Sequence, residues 1–164
     1  MAQAATIFMQ IDGVKGTVSD KQYKDWIAIE HINQGVFSSV NIDNGSGQLN
    51  SDGVNFEHIS FSKDMDSTST QISNMVALGT NVKKIIVAFA VKTDDKNHEM
   101  VRWTYTDCIF NGYSISVQNT SGNPSESISF AFSSVSFETN TVEPGGKVSK
   151  QGPVGWNLLE NTKM

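Results

Sequence analysis

Apolar residues recur at every second position along most of this chain, the period of a β-strand with one buried face. Ile7, Met9 and Ile11 share a side and run into the turn signal Asp12-Gly13, with a second glycine at 16. "DWIAIEHI" sets Ile27, Ile29 and His31 against Trp26, Ala28, Glu30 and Ile32. "VNFEHISF" reads as a further strand. Ile85, Val87, Phe89 and Val91 read as another, backed by Ala88 and Ala90. Val101, Trp103 and Tyr105 alternate with Arg102, Thr104 and Thr106, and Ile115 and Val117 precede the turn-rich "QNTSGNPSE". In "ISFAFSSVSFE" the residues Ile128, Phe130 and Phe132 share a side, and after a step of three Val135 and Phe137 resume it. That parity break at Ser133-Ser134 predicts a bulge, which bends a strand and helps a sheet curl. Gly, Asn and Asp clusters punctuate the runs, as in an antiparallel β domain.

One stretch keeps a different period. In "DSTSTQISNMVALGTN" the residues Ile72, Met75, Val76 and Gly79 follow helical spacing. Ser67, Thr68 and Ser69 are N-cap candidates, Thr68 with Gln71 has capping-box spacing, and Gly79 is placed to end the helix left-handed. Ser38 to Gly53, "SSVNIDNGSGQLNSDG", is rich in Ser, Asn and Gly and is expected to be irregular and exposed, either functional or disordered. "NTVEPGGKVSKQGPVG" is similar, but the following "WNLLEN" carries a Trp and two Leu that should dock onto something. The expectation is a mainly β protein, an antiparallel barrel or sandwich with one short α-helix, as a single domain over residues 1–164.

The polar side of "ISFAFSSVSFE" is unusual. It reads Ser129, Ala131, Ser133, then Ser134, Ser136 and Glu138, small and nearly uncharged where a solvated strand would carry more Lys and Glu. The whole chain shares that bias. Charged residues make up 18%, while Ser, Thr and Asn number 20, 12 and 14. The typical charged share is about 25%. With 12 basic and 17 acidic residues and no basic run, neither nucleic acid nor an anionic membrane surface is an expected partner. No apolar run approaches a membrane span of ~20 residues. The start "MAQAATIFMQIDGVKG" lacks the pattern of a secretory signal, so the expected location is cytoplasmic unless a dedicated apparatus exports the protein. Cys108 is alone, which excludes an intramolecular disulfide and a thiol-rich metal site.

Candidate chemistry is thin. "DMDST" (Asp64 to Thr68) matches the DxDxT pattern of phosphoryl-transferring enzymes, but those sit on parallel α/β sheets and this chain has no repeating strand-helix units. A polar lead-in to a helix, with acids favouring the dipole, accounts for it better. His31, His58 and His98 are scattered without a second ligand at metal spacing. His31 and His58 read as packed or hydrogen-bonded strand residues, and His98 as the solvated tip of a charged hairpin. Glu126 and Glu138 form a carboxylate pair only if the fold joins them. Asn119 in "NTS" is a sequon only in a eukaryotic secretory route, for which nothing else speaks. No nucleophile elbow or phosphate loop occurs, so no enzyme, metal or cofactor is expected.

Three segments in order resemble the haemolysin-coregulated protein (Hcp) family, the tube subunit of the bacterial type VI secretion system. "IFMQIDGVKGTVSDKQYKDWIAIEHINQGV" is similar to that family's opening strand, D-G-x-K-G turn, polar linker and W-I strand. "ISFSKDMDSTSTQISNMVALGTNVKKIIVAFA" resembles its F-x-K-x-x-D before a short helix that ends in Gly. "GPVGWNLLEN" resembles its G-W-N-x-x-x-N ending. Thr70 stands where many members have Pro, Met75 where the residue is often small, and Ser38 to Gly53 departs most. The resemblance implies a tight β-barrel with one flanking helix, six-membered rings, and stacking into a hollow tube ejected by a contractile sheath. A spike protein would sit at the tip and effector proteins in the lumen. It further implies that His31 and Asn33 face lumen and cargo. The long loop, with Ser38, Ser39, Asn41, Asp43, Asn44, Gln48 and Asn50, would reach the neighbouring ring. On the same reading Ser129, Ser134 and Ser136 face another subunit or the lumen, and the protein assembles in the bacterial cytoplasm before secretion.

Two other readings compete. A tail-tube subunit of a phage or phage-like contractile particle would share the architecture. A stand-alone β-sandwich lectin would hold sugar hydroxyls on its Asn- and Asp-rich loops, beside an exposed aromatic platform. Its mass in solution would be that of a monomer or dimer.

Overall fold

The computed structural model describes residues 4–93, 96–120, 122–143 and 147–164. Eleven strands and one helix follow in order: β1 Ala4–Ile11, β2 Ile27–Ile29, β3 His31–Asn33, β4 Val36–Asp43, β5 Gln48–Phe56, β6 Ile59–Asp64, α1 Ser69–Leu78, β7 Asn81–Thr93, β8 Lys96–Ser116, β9 Ser125–Val142, β10 Val148–Asn157 and β11 Thr162–Lys163. All pairings are antiparallel. The main sheet runs β11-β10-β9-β8-β7-β1-β2, and β6 pairs with both β3 and the first half of β9. β4 and β5 form a separate two-stranded sheet.

Two predicted strands divide. "DWIAIEHI" breaks at Glu30, whose N–H donates to the Ser62 carbonyl at 2.9 Å. Before the break Ile27 and Ile29 face inward against β1; after it Ile32 does so against β6, leaving His31 and Asn33 outside. "VNFEHISF" breaks at Glu57-His58, so its first part belongs to β5 and its second to β6.

The parity break of β9 is real, but its form differs from a one-strand bulge. Register against β8 is unbroken through it: Phe132 lies opposite Cys108, Ser134 opposite Thr106 and Val135 opposite Tyr105. β8 makes the same three-residue step, burying both Tyr105 and Cys108, and Asp107 between them adopts a left-handed φ of 50°. Both strands change face together. The core therefore continues from Phe110, Phe130 and Phe132 to Tyr105 and Val135. The register slips on β8 lie elsewhere, at Met100 and Asn111.

The principal core gathers Met9, Ile11, Ile27, Ile59, Phe61, Ile85, Val87 and the β8–β9 aromatics, with Ile72 and Met75 of α1 packed on it. α1 ends as its glycine predicts. Gly79 has φ 64°, and the N–H groups of Gly79 and Thr80 bond the carbonyls of Val76 and Met75. Its start departs from the capping box, because Thr68 makes no side-chain cap bond. Thr68 instead donates its backbone N–H to the Asp66 carboxylate at 2.8 Å, and Gln71 bonds the Gly13 carbonyl at 3.1 Å. A second cluster lies on the outer side of β1 and β7, where Phe8, Ala88 and Ala90 are covered by Tyr23 and Trp26. Gly16 permits that cover: a Cβ there would sit 2.2 Å from the Trp26 carbonyl oxygen. The chain's end docks on its own sheet through β10, with Trp156 and Leu158 against the core.

Candidate assembly surfaces

Across β3, β6, β9 and β8 the outward side chains line up in two rows. One reads His31, Ser62, Ser127, Ser114, and the next Asn33, Ser60, Ser129, Gly112. Neither row holds a Lys, Arg, Asp or Glu. Hydrogen bonds tie the surface together: Ser129 Oγ donates to Asn111 Oδ1 at 2.6 Å, and Asn111 Nδ2 meets His58 Nδ1 at 2.7 Å. Gly112 makes room for this, since a Cβ there would lie 2.5 Å from Ser129 Oγ. At one end the patch meets Glu30, whose carboxyl is raised above its usual range by the nearby Asp64 charge. A partner covering the two rows would strip water from hydroxyls and amides. Covering ions instead would cost several kcal/mol each unless well paired.

Of the three predicted serines on β9, Ser129 joins His31 and Asn33 on this patch. Ser134 is only 8% exposed within the single chain, between Thr106 and Asn157. Ser136 is half-buried opposite Thr104, beside the Glu138–Lys150 ion pair at 3.1 Å.

The segment expected to be irregular is a regular hairpin. The alternation of Val40 and Ile42 with Asn41 and Asp43 builds β4, and Asp52-Gly53 forms a bulge opposite Ser39, with Gly53 at φ 124°. Its exposure is as expected. Ser39, Asn41, Asp43, Gln48 and Asn50 share the polar face, Asn44 lies in the turn, and Ser38 lies on the other face. Asp43 closes the turn, accepting from the Gly45 N–H at 2.8 Å and Ser46 Oγ at 2.9 Å. Those bonds, the backbone one foremost, hold its carboxyl below the usual range. The second face carries Val36, Val40, Ile42, Leu49, Val54 and Phe56. Val40 is 58%, Ile42 66% and Leu49 69% exposed, so an apolar stripe stands bare to water.

At the root of the hairpin the stripe opens into an apolar groove of about 380 Å³. Val36, Phe56, Trp103, Phe137, Val154 and Trp156 line it. Trp103 and Phe137 stack with ring centroids 5.6 Å apart. Gln34 stands at its edge and accepts a hydrogen bond from the Tyr105 hydroxyl, whose pKa burial drives upward. Among the described residues, the Trp156 indole N–H is the buried side-chain donor left without an acceptor. The alternation predicted Trp103 and Phe137 as inward residues; their joining with the C-terminal strand had no local signal.

Beneath α1 lies a buried ionic cluster. Lys63 Nζ donates to Glu126 Oε1 at 2.6 Å and Asp66 Oδ1 at 2.9 Å, with Lys63 and Glu126 both closed off from solvent. Ser69 Oγ donates to Glu126 at 2.7 Å, and the Tyr113 hydroxyl donates to its other oxygen. Burial first, and that bond second, push the Tyr113 pKa up to about 12. "DMDST" is thus a helix lead-in, with Asp66 at once holding the N–H of Thr68 just ahead of the helix and pairing Lys63. Glu126 joins this cluster, while Glu138 pairs Lys150. His98 lies in β8 opposite Val91 and is half-buried, where a solvated tip was expected.

Residues 8–138 match the family described as "Type VI secretion system effector, Hcp". A search of curated proteins finds no match. Among solved structures, one called "Structure of a type six secretion system protein" is 25% identical, with a TM-score of 0.91 over 98% of this chain and 100% of that one. Hcp1 from Salmonella typhimurium is 20% identical, with a TM-score of 0.73 over 98% of this chain and 99% of that one. A chain in the baseplate of the anti-feeding prophage, 6% identical, shares the fold at a TM-score of 0.52 over 84% of this chain and 93% of that one.

Proposed function

Because this chain belongs to the Hcp family of type VI secretion proteins, which are structural tube proteins and not enzymes, we propose that it builds six-membered rings that stack into an ejected, cargo-carrying tube. Residues 1–164 act as one domain. Its main sheet closes into a barrel, a reading supported by the circuit of pairings β1–β2, β3–β6, β6–β9, β9–β8, β8–β7 and β7–β1, with a single residue, Glu30, between β2 and β3. The tube assembles in the cytoplasm and leaves the cell through the contractile apparatus, with a spike at its tip, a sheath around it and effectors inside.

The observation that carries the reading is the unpartnered β4–β5 hairpin. A lone two-stranded sheet is marginal in water, and this one exposes Val36, Val40, Ile42 and Leu49 on one face. It is built to be covered by another copy, and we assign it to ring stacking. The His31, Asn33 and Ser129 rows line the lumen in this proposal. Neutral hydroxyls and amides offer hydrogen bonds to varied cargo without a fixed charge preference. Ser136 lies at the lateral contact, where a small side chain permits close approach. Interfaces of ordinary size bury roughly 1,600 Å², enough to hold a ring. Negative-stain electron microscopy of the purified protein tests this: annular particles with a central hole are expected, and a field of solitary small particles counts against it. The fold shared with the prophage baseplate keeps a phage-like tube as the second reading. Recovery of the protein in the medium, dependent on a type VI apparatus, separates the two.

A further inference from the structure

We infer that the groove lined by Trp103, Phe137, Val154 and Trp156 is the seat for the β4–β5 hairpin of another copy of this chain. The inference deepens the assembly reading and rests on it: the hairpin must first be a copy-to-copy arm.

Three observations point to this occupant. The apolar matter on the two surfaces is complementary and continuous, since Val36 and Phe56 belong at once to the hairpin's stripe and to the groove's wall. A chain with a protruding stripe at one place and a recess at another makes head-to-tail contacts, the kind that generate rings and stacks. Charge agrees as well. Residues 36–56 contain Asp43 and Asp52 and no basic residue, whereas the C-terminal segment that supplies one wall of the groove brings Lys163 to it, Lys150 being already paired with Glu138. Lys163 lies directly opposite Trp156 in the β10–β11 pairing. An acidic arm thus meets a lysine at the groove's edge. The third observation is the Trp156 indole N–H, which has no acceptor among the described residues. A hairpin edge brings free backbone carbonyls. At about 380 Å³ the recess is of the size that takes a few apolar side chains and excludes water around them.

The seat can be probed by cross-linking two singly substituted proteins, Leu49→Cys and Val154→Cys, mixed before assembly and then oxidised. Both positions are exposed, so neither change disturbs the fold, which circular dichroism checks. Cys108 stays silent because it is buried, and burial raises its thiol pKa to about 12. The expected result is a disulfide-linked pair of chains, several-fold above that given by Leu78→Cys mixed with Val154→Cys, Leu78 being an equally exposed residue at the end of α1. Assembled particles with no excess of the Leu49–Val154 link would overturn the seat while leaving the tube reading intact. Absence of any assembled particle would overturn both. As a second measurement, Val154→Glu should abolish stacking, and Asp43→Lys with Asp52→Lys should weaken it in a salt-dependent way. Stacks unaffected by all three changes would contradict the inference.

Discussion

At the scale of single residues, the Lys63–Glu126 pair is the most consequential contact that local pattern could not supply. Lys63 was visible as part of an F-x-K-x-x-D pattern, but its partner lies 63 positions away on β9, with nothing nearby to mark it. Alternation does place both residues on the inward side, where a charge demands a partner. Removing one member leaves the other buried and uncompensated, which costs about 3–5 kcal/mol. Glu126→Ala should therefore lose stability of that order in urea unfolding, and Lys63→Met with Glu126→Leu should lose much less. Asp66 adds a pH dependence. Burial works to raise its pKa, but hydrogen bonds from Thr68 and Lys63 prevail and hold it below 3.8. A depressed folded pKa contributes stability that is present above the unfolded value and lost as pH falls through the folded one. Unfolding followed from pH 5 downward should show wild type losing stability faster than Asp66→Asn. Parallel curves would remove Asp66 from the account.

At the scale of elements, the helix and most strands were legible because each carries its own period. Ile72 and Met75 face the core as their spacing requires, and Gly79 ends the helix in the left-handed conformation only glycine adopts freely. Gly79→Ala should cost about 1 kcal/mol in thermal or chemical unfolding. The hairpin was misread for a physical reason. Its Ser, Asn and Gly content resembles a loop, and the bulge at Asp52-Gly53 interrupts the alternation of β5. Beyond its root, where Phe56 packs on the core, the hairpin stands clear of it, so its stripe of Val and Ile is sparse by the standard of a buried strand. The face change of β9 was visible at Ser133-Ser134; its mirror on β8 shows only in the three-residue step from Tyr105 to Cys108. Ile42→Asp with Leu49→Asp should leave the folded subunit unchanged by circular dichroism and abolish tubes in electron micrographs. Persistence of tubes would free the hairpin from its assembly role.

At the scale of the whole molecule, low charge is the feature that unites the surfaces. The two serine rows, the half-buried Ser136 and the apolar hairpin face are surfaces that lose little when cargo or another copy displaces water. Ser136→Arg places a long cation beside Thr104, and desolvating it without a partner opposes lateral contact. That variant should remain folded yet fail to form rings. The relation of one subunit to the next had no local signal in the sequence, because complementarity between distant surfaces leaves no period to read. The most direct test of the account is the mass of the purified protein by size-exclusion chromatography with light scattering at micromolar concentration. The account predicts a particle of six 17.9 kDa chains, and a single 17.9 kDa species that persists on concentration would contradict it.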